Sequence, residues 1–282
     1  MAIKYLYPFW GSEHIPIEKF IADALENGFD GIEIHIPNDK AFEDELYVAL
    51  QNIRRQHPDF ILVVQQVFGV KHETPTNYLW NVLKRMGELR RFKPDFINSH
   101  TGKDHYSFED NCYIIDAIED FSRTSNIPIY HEIHRGRFTF HSATTLKYLE
   151  MFPEIKLVGD LSHWCVVSES MLEDQESIIK QIIPYIHHIH ARVGTPQTAQ
   201  VNHPFAPEWQ SELNCFVTWW QRIIDYHSNE AMSITPEFGP YPYMPQTPFE
   251  QRPLANQQEL NLQMKTFLQT HLKSKPCNEF ST

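Results

Sequence analysis

Short runs of β-branched and aromatic residues alternate along the chain with longer stretches whose apolar positions recur at helical spacing. The strand-like runs lie at residues 3–10, 31–37, 60–68, 96–102, 127–136, 156–164, 186–194 and 233–239. Between them, helical spacing begins with Ile17, Phe20, Ile21, Ala24 and Leu25, then recurs at 42–55, 78–91, 114–122, 144–152, 176–183, 216–226 and 258–271. Eight strand–helix units in one run predict an α/β fold, a single (β/α)8 barrel over residues 1–273, with a mostly polar tail at 274–282 that should fray. No Pro/Gly/Ser-rich linker divides the chain, and no G-x-G-x-x-G follows the first strand, as a dinucleotide-binding sheet would require. The longest irregular stretches, 195–207 and 240–253, both follow strands and should therefore lie over one rim.

Composition adds exclusions. The 282 residues are 41% hydrophobic, enough for a sizeable core, yet no apolar run reaches the roughly 20 residues that span a bilayer. The first residues run straight into a strand-like segment without a secretory pattern, and Cys112, Cys165, Cys215 and Cys277 have no framework spacing. Reduced thiols and a cytoplasmic location are the expectation. A formal charge of −12 repels phosphate backbones, so the partner expected is a small molecule rather than nucleic acid or membrane.

In such a barrel the loops after the strands build the active site. The second strand carries Glu33 and His35, and the fourth ends at His100. The fifth ends in the series His131 to Gly136, the sixth in Asp160 to Trp164, the seventh in His188 to Arg192, and the eighth in Thr235 to Gly239. Four consecutive strands thus end in Glu132, Asp160, His190 and Glu237. Three carboxylates and one imidazole suit one divalent metal ion, Mn²⁺ or Mg²⁺, with Zn²⁺ or Co²⁺ as further candidates. Open coordination positions would accept two adjacent substrate oxygens. His100, His134 and Arg192 are candidate substrate contacts, with Trp10, Trp164 and Phe238 as apolar walls. Glu33 reads either as a further contact or as a charge paired inside the barrel by an Arg or Lys. His187 should point outward and, with His188, form a packed or surface pair.

These residues resemble the xylose-isomerase-like barrel family, which includes sugar isomerases, keto-sugar epimerases, inosose dehydratases and endonuclease IV. The resemblance covers essentially the whole chain in element order, and its specific part is Glu132, Asp160-x-x-His163, His190 and Glu237. It implies that the quartet holds the metal, that His163 contacts substrate, and that Glu132 and Glu237 flank the reacting carbons as the acid–base pair. Keto-sugar 3-epimerases carry a Glu where this chain has Phe138 and an Arg where it has Pro196, which sets the chain apart from them. Endonuclease IV is similar at His100-Thr101-Gly102, but its Asp-x-His is replaced by His203-Pro204-Phe205. Dimers and tetramers are common among such proteins, so a homo-oligomer is an expectation of the resemblance.

A cation chelating a carbonyl and its neighbouring hydroxyl lowers the pKa of the adjacent C–H, and a carboxylate can then remove that proton to give an enediolate. Returning it elsewhere isomerises or epimerises, while expulsion of a β-hydroxyl dehydrates. The expected activity is a metal-dependent isomerase or epimerase of an unphosphorylated sugar or related keto acid. The alternatives are an inosose-type dehydratase and a catalytically silent sugar-binding barrel. No Gly-rich turn or basic cluster marks the ends of strands seven and eight, where barrels often bind phosphate.

Overall fold

The computed structural model describes residues 3–67 and 72–273. Eight parallel strands close in sequence order: β1 (Ile3–Pro8), β2 (Gly31–His35), β3 (Ile61–Gln66), β4 (Phe96–Ser99), β5 (Ile129–Glu132), β6 (Lys156–Gly159), β7 (Ile186–His190) and β8 (Met232–Thr235), with β8 pairing back onto β1. Around them lie α1 (Ile17–Glu26), α2 (Lys40–Gln56), α3 (Pro75–Leu89), α4 (Phe108–Ser125), α5 (Ser142–Met151), α6 (Ser162–Ser168), α7 (Glu176–Ile182), α8 (Gln210–Tyr226) and α9 (Gln257–His271). The barrel expectation holds; the tail at 274–282 lies outside the described residues. Among the described residues no helix is long and apolar enough to cross a membrane, and Cys112, Cys165 and Cys215 are free.

Helix starts follow local chemistry. Asp39 accepts from the backbone N–H groups of Ala41 and Phe42, and Ser107 from that of Asp110. Thr74 caps a helix opened by Pro75, whose missing N–H costs nothing at that position. Outward-facing strand residues and the inner helix faces share one large apolar core.

The barrel interior is layered. Leu6, Val63, Phe96 and Val158 form a separate small apolar cluster, with Ile61 and Tyr130 against it. Side chains two residues apart on a strand share a face, so the next layer towards the C-terminal mouth carries Gln65 above Val63, Asn98 above Phe96 and Glu132 above Tyr130. His190 above His188 and Thr235 above Ser233 complete that step on β7 and β8. An apolar plug therefore supports a polar floor.

Several strands are shorter than their sequence runs. β5 stops at Glu132, β6 at Gly159, β7 at His190 and β8 at Thr235, so Asp160 and Glu237 stand just past their strands. The run at 156–164 also contains a short helix, α6, which carries His163 and Trp164. Buried apolar residues read alike in strand and helix when the run is this short.

Candidate active site

A cavity of about 440 Å³ opens at the C-terminal mouth. Phe9, Trp10 and Val67 form an apolar side. Glu13, His35, Gln65, His100, Glu132, His134, Arg137, Arg192 and Glu237 supply the polar surface, and Tyr243 reaches in from the loop after β8. The Trp10 and Tyr243 rings meet edge to face with centroids 5.0 Å apart. A Cβ at Gly239 would fall inside the Trp10 ring, so this glycine gives Trp10 its seat. Gln200 fastens the same loop, accepting from Gly239 N at 2.8 Å and donating to its carbonyl at 3.1 Å.

On the floor, ligand-type atoms of Glu132, Asp160, His190 and Glu237 all lie within 4.8 Å of one another. His190 is the pivot. Its Nε2 is 3.0 Å from Glu33 Oε1, which leaves Nδ1 facing the carboxylates. Nδ1 is 2.9 Å from Glu237 Oε2 yet out of line for a hydrogen bond, so it is buried without a hydrogen-bond partner. Burial would lower the His190 pKa, but Glu237, Glu33 and Glu132 outweigh it and hold the imidazole well above its usual range.

Each carboxylate is held in turn. Glu132 Oε2 accepts from Asn98 Nδ2 at 2.7 Å and lies 3.0 Å from His100 Nε2. Burial pushes Glu132 upward, but His100 and His190 reverse this and hold it below the carboxylate range. Glu237 Oε1 accepts from Gln65 at 2.9 Å. Asp160 Oδ1 accepts from Ser162 Oγ at 2.5 Å, and Oδ2 pairs with the Arg192 guanidinium. Burial raises the Asp160 pKa in spite of that guanidinium. Arg192 also stands 3.6 Å from Glu237 Oε2.

No family model and no curated protein sequence matches the chain. Solved structures do. A xylose isomerase domain protein from Salmonella typhimurium is 14% identical, with TM-score 0.67 over 97% of this chain and 100% of that one. The probable 3-DHS dehydratase AsbF of Bacillus anthracis is 16% identical, with TM-score 0.64 over 95% and 98%. The IOLI protein, solved with a bound zinc atom, is 14% identical, with TM-score 0.63 over 98% and 99%. The chain shares the closed eight-stranded barrel fold of these proteins.

Within the barrel, the structure brings together the four metal candidates. It also sets Trp10, His100, His134 and Arg192 around the cavity. Three expectations need correction. Glu33 is not at the cavity surface. It is buried in the floor, where it accepts from Gln65, Asn98 and Thr235 and pairs with His188 and His190, taking imidazoles rather than an Arg or Lys as partners. Burial alone would raise the Glu33 pKa, but the two imidazoles hold it well below the carboxylate range. Trp164 and Phe238 are fully buried, and Trp164 Nε1 donates to the Thr139 carbonyl at 2.7 Å; both are core, not walls. His163 is also fully buried in α6. Its Nε2 lies 3.0 Å from Arg192 Nη2, and the His134 ring packs against it with centroids 3.9 Å apart. Burial and its cationic neighbours hold His163 well below the imidazole range, so it is a neutral acceptor for Arg192.

His187 points outward beside His227, whereas His188 faces inward onto Glu33. Sequence reasoning missed Gln65, Asn98, Arg137 and Tyr243. Gln65 and Asn98 sit in step with Glu132 on the inward faces of β3 and β4, so polar residues within otherwise apolar strands were the available signal. Arg137 and Tyr243 come from loops and carry no such signal.

Proposed function

We propose that Glu132, Asp160, His190 and Glu237 hold one divalent metal ion, and that the cavity moves a proton on a polyhydroxylated carbonyl compound. The carrying observation is the buried His190 Nδ1, which makes no hydrogen bond yet faces Glu237 Oε2 at 2.9 Å and Glu132 Oε1 at 3.9 Å while Nε2 is tied to Glu33. A carboxylate on the far nitrogen of a metal-binding imidazole fixes its ring and raises its basicity. The charge balance agrees. Glu33, Glu132, Asp160 and Glu237 converge on Arg192 and His190, an excess of buried negative charge that a divalent cation would offset. The mostly oxygen donor set favours Mn²⁺ or Mg²⁺, with Zn²⁺ and Co²⁺ also accommodated.

A cation bound there would polarise a substrate carbonyl and acidify the neighbouring C–H. The chain does the rest. Asn98 and His100 aim Glu132, and Gln65 aims Glu237, so the two carboxylates reach the cavity in fixed positions. One removes the proton, and the same or the other returns it, giving isomerisation or epimerisation of an unphosphorylated sugar or related keto acid. Trp10 and Tyr243 cover the apolar side of the substrate and exclude water. Elimination of water is the second reading. Phe138, standing where the similar 3-epimerases carry a carboxylate, is 1% exposed and packed in the core, and AsbF shares the fold.

The test is proton exchange in D₂O with Mn²⁺ over ketoses, aldoses and inososes. Deuterium should enter beside a carbonyl, and exchange should vanish in Glu132→Gln and Glu237→Gln. Loss of water mass would select the dehydratase. Metal uptake and sugar binding without exchange anywhere in the panel would reject catalysis and leave a sugar-binding barrel.

A further inference from the structure

We infer that Arg137 makes the cavity selective for substrates that carry a carboxylate alongside their hydroxyl groups. This deepens the reading above by naming the substrate class. Two cations line the cavity, and their situations differ. Arg192 is consumed by Asp160 and Glu237. Arg137 has no carboxylate within ion-pair distance among the described residues. Its Nη2 lies 3.4 Å from His100 Nδ1, and its Nε is buried without a hydrogen-bond partner. The third arginine of this rim, Arg135, lies over the Tyr243 ring at 5.1 Å.

A guanidinium with no carboxylate partner beside a cavity, in a chain of charge −12, keeps Nη1 and the second N–H of Nη2 for an anion. A carboxylate matches that fork with two parallel hydrogen bonds. A phosphate monoester, with nearly two charges on three oxygens, would call for further cations or backbone N–H groups beside Arg137, and no Gly-rich turn accompanies it. Position supports the same assignment. Arg137 follows β5 on the His100 side, and Glu132 and Glu237 also line the cavity. A hydroxylated chain or ring anchored at Arg137 by its carboxylate could present its other carbons to that pair, with Phe9 and Trp10 on its apolar face.

The test compares D-gluconate with D-glucitol, six-carbon probes that differ at one end by the carboxylate. Calorimetric titrations would use the full chain in both metal-free and Mn²⁺-loaded forms. In both forms gluconate should bind at least about tenfold more tightly, as expected for a charge-assisted bidentate pair. Arg137→Gln should abolish the preference, and Arg137→Lys, which keeps charge but loses the fork, should retain part of it. Circular dichroism would verify that both variants are folded. A preference that survives in Arg137→Gln would put the carboxylate elsewhere and overturn the assignment. Equal binding of the two probes to the wild type would also overturn it, as would tighter binding of D-glucitol 6-phosphate than of gluconate. If the wild type takes up no metal but the metal-free form keeps an Arg137-dependent preference, only the metal reading falls.

Discussion

Neutralising Glu33 is the most informative perturbation of the floor. Its Oε1 receives Gln65, Asn98 and His190, while its Oε2 receives His188 and Thr235. In Glu33→Gln the amide oxygen can take the first set. The new NH₂ then meets Thr235, whose hydroxyl can accept, and His188, whose Nδ1 lies 2.6 Å from the Ser233 hydroxyl and permits either tautomer. The substitution therefore keeps the shape and removes the charge behind His190. Losing a partner behind a metal-bound imidazole costs about 10–100-fold in affinity, roughly 1.4–2.7 kcal/mol. Glu33→Gln should fall near the lower bound, and Glu33→Ala, which also frees the ring to turn, near the upper. One effect opposes this, because without the anion His190 holds its proton less firmly and competes less with metal. Affinity should therefore be followed from neutral to alkaline pH, by competition against a chromophoric chelator. Thr235→Val serves as a control that removes one Glu33 contact and leaves His190 alone. Folded Glu33→Gln and Glu33→Ala proteins with wild-type affinity at every pH would refute the supporting role of Glu33.

Metal uptake should release about one proton per chain, because His190, raised well above its usual range in the metal-free protein, must free Nδ1. Below that raised pKa, affinity should climb with pH, and above it level off; titration in buffers of different ionisation enthalpy reads the proton, and a pH-independent affinity contradicts the assignment. Arg192→Leu removes the guanidinium from buried Asp160 and should cost the metal-free protein about 3–5 kcal/mol, with much of the loss regained when Mn²⁺ is added; a thermal melt indifferent to metal would argue against the quartet. Trp164→Ala should destabilise by about 3–5 kcal/mol in urea, whereas Trp10→Ala should weaken ligand binding with a much smaller stability change. The reverse ordering would show that the two tryptophans have been assigned the wrong places.

The barrel was legible because each strand and helix carries its own period, and eight such units leave few ways to bury their faces. Glu132, Asp160, His190 and Glu237 were legible because strand ends share one rim. The errors have a common physical origin. A strand end does not reveal whether a side chain rises into the cavity or sinks into the floor, and this decided Glu33. Trp164 and His163 were misjudged because the chain turns into α6 directly after Asp160, carrying both rings beneath the rim. Arg137 was invisible because its importance lies in the absence of a carboxylate partner among the described residues, which only three-dimensional neighbours can show.

The quartet belongs wholly to the last four strands of the barrel and the residues just after them, whereas Glu33, Gln65 and Asn98, which steady it, belong to the first four. A break at the turn between α4 and β5 would leave a fragment with every proposed ligand but no counter-anion behind His190. Such a fragment should capture metal only weakly until its complement docks. During folding the same logic makes tight coordination a late event, dependent on β2–β4 being seated against β5–β8. A cation-sensitive signal at this site would then act as a clock for closure of the barrel, reporting when its two halves have met.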